Sequence, residues 1–284
     1  MPEKEHKDVV KAYFATKESR LGYKYLLKGT KHYGYYPSRR NDISMAEAQL
    51  EMERQLGKAL NLLPGSKVLD AGCGEGLVAI HLNKEFGYEI FGVDILDWSI
   101  DNANKNKQRA DANGLQFQVS DYSHTDFPDN YFDGVYTMET LVHSGDYKKA
   151  LKEFYRVLKP GGILVNFEYA LDDELHDETE KWQTIYQGGA LIKTFYDFRV
   201  SRMEGIWQNA GFKKVTVTDI TKYMVPFMKR LYQLAIIPYG LMKMTKQEKK
   251  HVNAYAAVIS YPRHHQFHYT IMRGYKPGKL SHAK

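Results

Sequence analysis

Cysteine is almost absent: Cys73 is the single one in 284 residues. One cysteine forms no internal disulfide, which points to a reducing compartment and so to a cytoplasmic protein. No secretory leader is expected either, because Met1-Pro-Glu-Lys-Glu-His-Lys7 is charged and has no apolar stretch of the kind a signal peptide carries. Long hydrophobic runs are scarce. The most apolar segment, Leu231 to Met244, is interrupted by Pro238 and Gly240 and falls short of the roughly 20 residues a spanning helix needs. Peripheral contact with a membrane stays open. Basic runs are scarce too. The net charge of +6 comes from 40 basic against 34 acidic residues, and the one local cluster, Lys243 to His251, reads as a solvated helix face. No nucleic-acid partner is expected from such a chain.

Tyrosine, by contrast, is plentiful: 22 residues against 13 Phe and 3 Trp. Its apolar ring and polar tip suit a pocket for a bulky, mostly apolar ligand, although ordinary packing accounts for most of these residues.

Apolar periodicity divides the chain. Residues 1–44 are polar and aromatic and contain His32-Tyr-Gly-Tyr-Tyr-Pro37. Met45, Leu50, Met52, Leu56 and Leu60 predict a helix over 45–61 with Ser44 as its N-cap. Strands are predicted at 68–71, 90–93, 117–119, 134–137 and 163–167. Helices are predicted at 77–86, at 98–113 with Gly114 as the stop, and at 147–158 ended by Pro160-Gly-Gly162. Such alternation predicts an α/β fold, a parallel sheet with helices on both faces. Residues 171–199 read as a loop or lid. A helix at 200–210, a strand at 214–217, amphipathic helices within 221–263 and a last strand at 267–274 complete the pattern.

The run Lys67-Val-Leu-Asp-Ala-Gly-Cys-Gly-Glu-Gly76 joins a predicted strand to a predicted helix through G-x-G-x-G. Gly72 and Gly74 allow a tight turn and close approach of a ligand to the backbone, with a helix N-terminus beside it. Asp94 ends the next strand, where a carboxylate accepts hydrogen bonds from ribose hydroxyls. NAD would satisfy both features. Asp70 argues otherwise: just ahead of the glycines it would repel a pyrophosphate, whereas S-adenosylmethionine (SAM) has no phosphate and carries a sulfonium and an amino group. Asp121, after the third strand and flanked by Ser120 and Tyr122, is placed to accept from the adenine amine.

Residues 64–168 resemble the core of the class I SAM-dependent methyltransferases. Val68 to Gly76, Val93-Asp94 and Ser120-Asp121 match successive motifs of that family, and Asp129-Asn-Tyr-Phe-Asp133 and Arg156-Val-Leu-Lys-Pro-Gly-Gly162 match its segments before strands four and five. The resemblance implies a Rossmann-like seven-stranded sheet with the last strand antiparallel. Here that sheet carries a helical cap between strands six and seven. Met138-Glu-Thr-Leu-Val-His143 is similar to the sterol C-methyltransferases, which carry an acidic residue and a histidine at the positions of Glu139 and His143. His32 to Pro37 is similar to an aromatic motif of the tocopherol and cyclopropane-fatty-acid type enzymes, where it closes over SAM; Tyr223-Met-Val-Pro-Phe227 and Asn253-Ala254 are also similar to the tocopherol group.

One domain, 1–284, is expected: an aromatic arm (1–44), a SAM-binding core (45–170) and a substrate half (171–284) with a cap over 221–263. The expected SAM contacts are Tyr33, Asp70, Gly72, Gly74, Asp94, Ile95, Ser120, Asp121, Tyr122 and Met138. In methyl transfer the sulfonium supplies the leaving group, so the enzyme aligns an acceptor and, where needed, removes a proton. Glu139 and His143 are candidates for that proton. Tyr33, Tyr35 and Tyr36 are candidates for facing a carbocation, with Tyr36 taken as catalytic. Cys73 is not read as a nucleophile, since it sits inside the turn with no base beside it. His264, His265 and His268 fall at or in a predicted strand, where neighbours point to opposite faces, and no metal is expected.

The apolar 221–263 segment reads as an acceptor cap, a membrane contact or a homodimer interface. The acceptor is expected to be a lipophilic small molecule, sterol-, prenylquinol- or lipid-like, with carbon favoured. An N-methyltransferase for an amine or alkaloid and a SAM-binding regulator are the alternatives.

Overall fold

The computed structural model describes residues 3–16, 29–40, 42–174, 197–244 and 252–278. The helices are α1 (Glu3–Ala15), α2 (Met45–Leu60), α3 (Leu77–Phe86), α4 (Asp97–Arg109), α5 (Tyr147–Val157), α6 (Val200–Asn209), α7 (Thr221–Met244) and α8 (Val252–Ser260). The strands are β1 (Lys67–Ala71), β2 (Glu89–Asp94), β3 (Leu115–Val119), β4 (Phe132–Met138), β5 (Leu158–Leu171), β6 (Lys213–Asp219) and β7 (Phe267–Tyr275). They form one sheet in the order β3-β2-β1-β4-β5-β7-β6. Neighbours are parallel except at β7, which runs antiparallel to both β5 and β6.

Period-two alternation decides which helix covers which face. Leu69, Val135 and Leu164 pack with Leu151 and Phe154 of α5 and Trp207 of α6. Their neighbours Val68, Tyr136 and Val165 point the other way, onto Met52 and Leu56 of α2 and Ala79 and Leu82 of α3. Strand order reverses between β1 and β4. The crevice at the carboxyl ends of these strands is where an open α/β sheet binds its ligands.

Capping explains the helix that opens the core. Ser44 and Glu47 form a reciprocal capping box at the start of α2, and Asn61 closes its far end in the left-handed region.

Four expectations need correction. α4 ends at Arg109 rather than at 113, because Asp111 turns the chain with a φ of 48° before Gly114 is reached. Pro160-Gly-Gly162 does not end α5; β5 already begins at Leu158, and the three residues accompany a register shift in its pairing with β4. α7 runs on through Pro226 and Pro238. Pro238 leaves the carbonyl four residues earlier without its helical donor, and Leu234 at that place is exposed, so water can serve it. His264 and His265 lie in a 3-10 turn, Tyr261–Gln266, and only His268 is in a strand. The expected lid at 171–199 falls mostly outside the described residues, as do 245–251. α1 was not anticipated at all.

Candidate active site

The glycine turn follows β1 directly. The Gly72 and Cys73 amides donate to the Val93 carbonyl at 2.8 and 3.0 Å, which ties the turn to β2. Gly72 has a φ of +93°, and a Cβ there would lie 2.7 Å from the Thr140 side chain, so glycine is required on two counts. Asp94 accepts from the Gly74 amide through Oδ2 and from the Leu96 amide through Oδ1, both at 2.9 Å. Burial raises its pKa; Lys31 and these amides hold the rise back. Asp70 is buried, and its Oδ2 lacks a hydrogen-bond partner of good geometry. Burial pushes the Asp70 carboxyl up to about 7, against the pull of the Tyr136 hydroxyl beside it.

An arm crosses the sheet end. The Tyr35 amide donates to the Ala48 carbonyl of α2 at 2.8 Å and the Tyr36 amide to the Tyr223 carbonyl of α7 at 2.9 Å. Gly34 makes the crossing fit: a Cβ would meet Phe227 at 2.6 Å and Ala48 at 2.7 Å. His32 anchors the arm. Its Nδ1 faces the Tyr33 carbonyl at 2.8 Å and its Nε2 faces Glu53 at 3.1 Å. Two acceptors for two ring nitrogens require the imidazolium. Burial opposes that charge, yet Glu53 outweighs it and the His32 pKa is raised. His81 contacts the other Glu53 oxygen at 2.5 Å, and the Gln49 amide group caps the His32 carbonyl.

The arm delivers the Tyr33 amide to Glu139. It donates to Glu139 Oε1 at 2.7 Å, and the Tyr269 hydroxyl of β7 donates to the same oxygen at 2.7 Å. With both donors on Oε1, Oε2 is the oxygen that can carry a proton. Burial pushes the Glu139 carboxyl up to about 7, opposed by His32 and by these two donors. Glu139 has a φ of +54°. A bulky residue held in the left-handed region stores strain of about 1–3 kcal/mol, a cost characteristic of functional sites.

α1 roofs the site. His6 Nε2 lies 2.9 Å from the His143 carbonyl, Lys7 pairs with Asp121, and the Tyr13 hydroxyl donates to Asn253 of α8 at 2.6 Å. The Tyr13 and Phe14 rings pack on the His143 ring. Beneath the roof lies one chamber of about 590 Å³. Its polar end is formed by Asp70, Gly72, Gly74, Asp94, Ile95 and Asp121; its apolar end by Met224, Phe227, Leu231, Ala235, Ala257 and Phe267. Tyr33, Met138, Glu139 and His143 line it as well.

Ser120 and Tyr36 do not line it. The Ser120 amide pairs with the Asp94 carbonyl, and Ser123 takes its place beside Asp121 and Tyr122. Tyr36 is packed against Ala48 and Phe227, and its hydroxyl accepts from Arg230; the turn of the arm at Gly34 buries it under α7 instead of facing it inward. Tyr35 stacks on Tyr223. Among the described residues no cluster of three His, Cys, Asp or Glu side chains could hold a metal. His268 pairs with Asp219. Burial raises the Cys73 thiol well above its ordinary value, which keeps it protonated.

Sequence reasoning missed Lys31, Tyr269 and the whole of α1. Lys31 Nζ lies 4.9 Å from the Trp98 ring centre and 5.1 Å from that of Phe14. Burial lowers its pKa, with Asp94 and Glu75 opposing. The aromatic run beginning at His32 was a signal for its neighbours only.

Residues 69–166 match the family model described as a methyltransferase domain. The S-adenosyl-L-methionine-dependent Diels-Alderase of Talaromyces variabilis is 31% identical over 94% of this chain and 94% of its own. The chain belongs to the SAM-dependent methyltransferase family. A sterol 24-C-methyltransferase of Aspergillus fumigatus is 32% identical over 59% of this methyltransferase and 45% of its own length. The [4+2]-cyclase SpnF superposes with a TM-score of 0.74 at 22% identity, over 92% of this chain and 95% of that one, a likeness of fold. The seven-stranded sheet with its last strand antiparallel is the family's fold, and SAM is its cofactor. The polar end fits that cofactor: Asp70, a buried carboxyl that lines the chamber, has an oxygen, Oδ2, without a good donor, which suits an amino group.

Proposed function

We propose that this methyltransferase acts on a bulky, mostly apolar small molecule held beneath α7 and α8, with carbon as the favoured acceptor atom. One observation carries the reading: the polar end at Asp70 and Asp94 and the apolar end at Phe227 and Ala257 are a single chamber, lined also by Glu139. The whole chain acts as one unit in this reading, since β7, at its far end, supplies Tyr269 to Glu139.

Bound SAM supplies the methyl group and leaves as S-adenosylhomocysteine. Asp94 takes the ribose hydroxyls, Asp70 the amino group, and Asp121 with Tyr122 and Ser123 the adenine. The apolar end orients the acceptor and excludes water. Glu139, with a pKa of about 7, takes the proton that the methylated acceptor gives up. His143 lies under the α1 roof and contacts the acceptor. Incubation with methyl-labelled SAM and a panel of sterols, prenylated quinols, fatty acyl lipids, amines and RNA tests this. Label confined to amines moves the reaction to nitrogen, and label confined to RNA overturns the proposal.

A second reading rests on its own observation. The relative matched from end to end is named a Diels-Alderase. In that reading the chamber folds a polyene so that its two reacting ends meet, and orientation alone lowers the barrier. The discriminating measurement follows S-adenosylhomocysteine release with SAM bound. Product formed without S-adenosylhomocysteine belongs to a cyclase; product formed one for one with it belongs to methyl transfer.

A further inference from the structure

Charge is unevenly placed along the chain. Residues 221–263 hold eight Lys and Arg against one acidic residue, Glu248, whereas the remainder holds 32 basic and 33 acidic residues. The entire positive excess therefore belongs to the cap. In α7, Leu234, Ile237, Leu241 and Met244 recur at spacings of three and four, which places them on one face. They are 51%, 73%, 62% and 82% exposed. Lys222, Lys229 and Lys243 lie on the same helix, are exposed, and share it with no acidic residue. Phe227, Met228, Leu231 and Ala235 face the chamber. Leu234 belongs to both sets, so stripe and chamber meet there.

We propose that this outer face of α7 docks on an anionic lipid surface. Apolar side chains gain by entering the acyl boundary, while the lysines gain by meeting negative headgroups. Two tyrosine pairs, Tyr232 with Tyr261 and Tyr239 with Tyr255, join α7 to the segment beyond it; tyrosine is enriched at membrane interfaces. A second copy of the chain answers the apolar stripe but not the charge, since a twofold interface would bring one basic cap against another. A polyanion such as RNA answers the charge but not the stripe. The helix lies on the bilayer, since no helix among the described residues is long and apolar enough to cross one. Resting on the apolar acceptor proposed above, the acceptor enters the chamber from the membrane past Leu234.

The test sediments the full chain with vesicles of phosphatidylcholine alone and of phosphatidylcholine mixed with phosphatidylserine. Binding is expected with the mixed vesicles only, and it weakens as salt is added. Ile237→Glu with Met244→Glu abolishes it. Lys229→Gln and Lys243→Gln each weaken it about fivefold, the effect of one basic residue at such a surface. None of these four residues lines the chamber, so thermal stability and SAM binding stay unchanged and methyl transfer is judged separately. Failure to bind either vesicle, or equal binding to both, overturns the proposal. So does a dimer that Ile237→Glu dissociates without any vesicle binding, or retention of RNA in place of vesicles.

Discussion

Asp70 and Glu139 are carboxyl groups that burial pushes up to about 7, and they respond to pH in different ways. With a pKa of about 7, Asp70 is partly protonated near neutral pH, and in the proposed site the amino group of SAM would favour its ionised form. Binding below about pH 7 therefore releases a proton, and SAM affinity falls as the pH drops from about 8 to about 6. Calorimetric titration in two buffers reads that proton, and Asp70→Asn flattens the profile; an affinity independent of pH would contradict the assignment. Glu139 bears on folding. Its folded pKa of about 7 stands above the ordinary 4.5, so stability present below pH 4.5 is lost as the pH rises through 7. Glu139→Gln removes that loss. Relative to the parent, the variant gains about 1–3 kcal/mol between acid and alkaline melts while turnover collapses. Asp94→Ala weakens SAM binding by about 1–3 kcal/mol through the loss of charge-assisted hydrogen bonds. Unchanged affinity in the folded variant removes Asp94 from the ribose position. Asp70, Gly72, Asp94 and Asp121, which line the chamber, could be picked out of the sequence because each lies within two residues of the carboxyl end of a strand. Lys31 and Tyr269 were not, because their neighbours are brought to them from across the fold: Tyr269 meets Glu139 over 130 positions.

The elements hold the arm as a clamp does, with α2 on one side and α7 on the other. Its buried charge is the weak point. Glu53→Gln leaves the His32 imidazolium without its carboxylate, and breaking such a pair costs about 3–5 kcal/mol. Denaturant melts measure the loss, and adding His32→Gln recovers most of it; a single variant as stable as the parent shows that His32 is neutral. Periodicity found α2, α3 and α6 nearly to the residue, since each has a plain apolar face and a cap or glycine stop. It misjudged α7, where Pro238 reads as an interruption yet falls at an exposed turn. It missed α1 because the apolar residues of that helix crowd into its second half, Val9 to Ala15, without a repeating apolar face along its length, and its contacts with His143, Asp121 and Asn253 are not local.

For the molecule as a whole, α1 closes a chamber that the sheet has already built. Removing residues 1–16 leaves the two main packing clusters nearly complete, since α1 gives them only Tyr13 as a buried member, with Phe14 packed against it. Circular dichroism melts therefore change little. SAM dissociation, read by stopped flow, accelerates about tenfold or more, as expected for a lid removed from a formed site. An unchanged dissociation rate leaves α1 without a gating role.

β7 is the last of the described strands, yet it lies inside the sheet, between β5 and β6. During synthesis β5 and β6 leave the ribosome with bare edges, and only β7, made after both, joins them. The same stretch brings Tyr269 to Glu139 and Phe267 to the chamber wall. A nascent chain can thus assemble the polar end of the chamber while the apolar end is still missing a wall. The machinery is completed only once β7 has been made, and a chain that stops short of β7 carries two unpaired edges that invite aggregation.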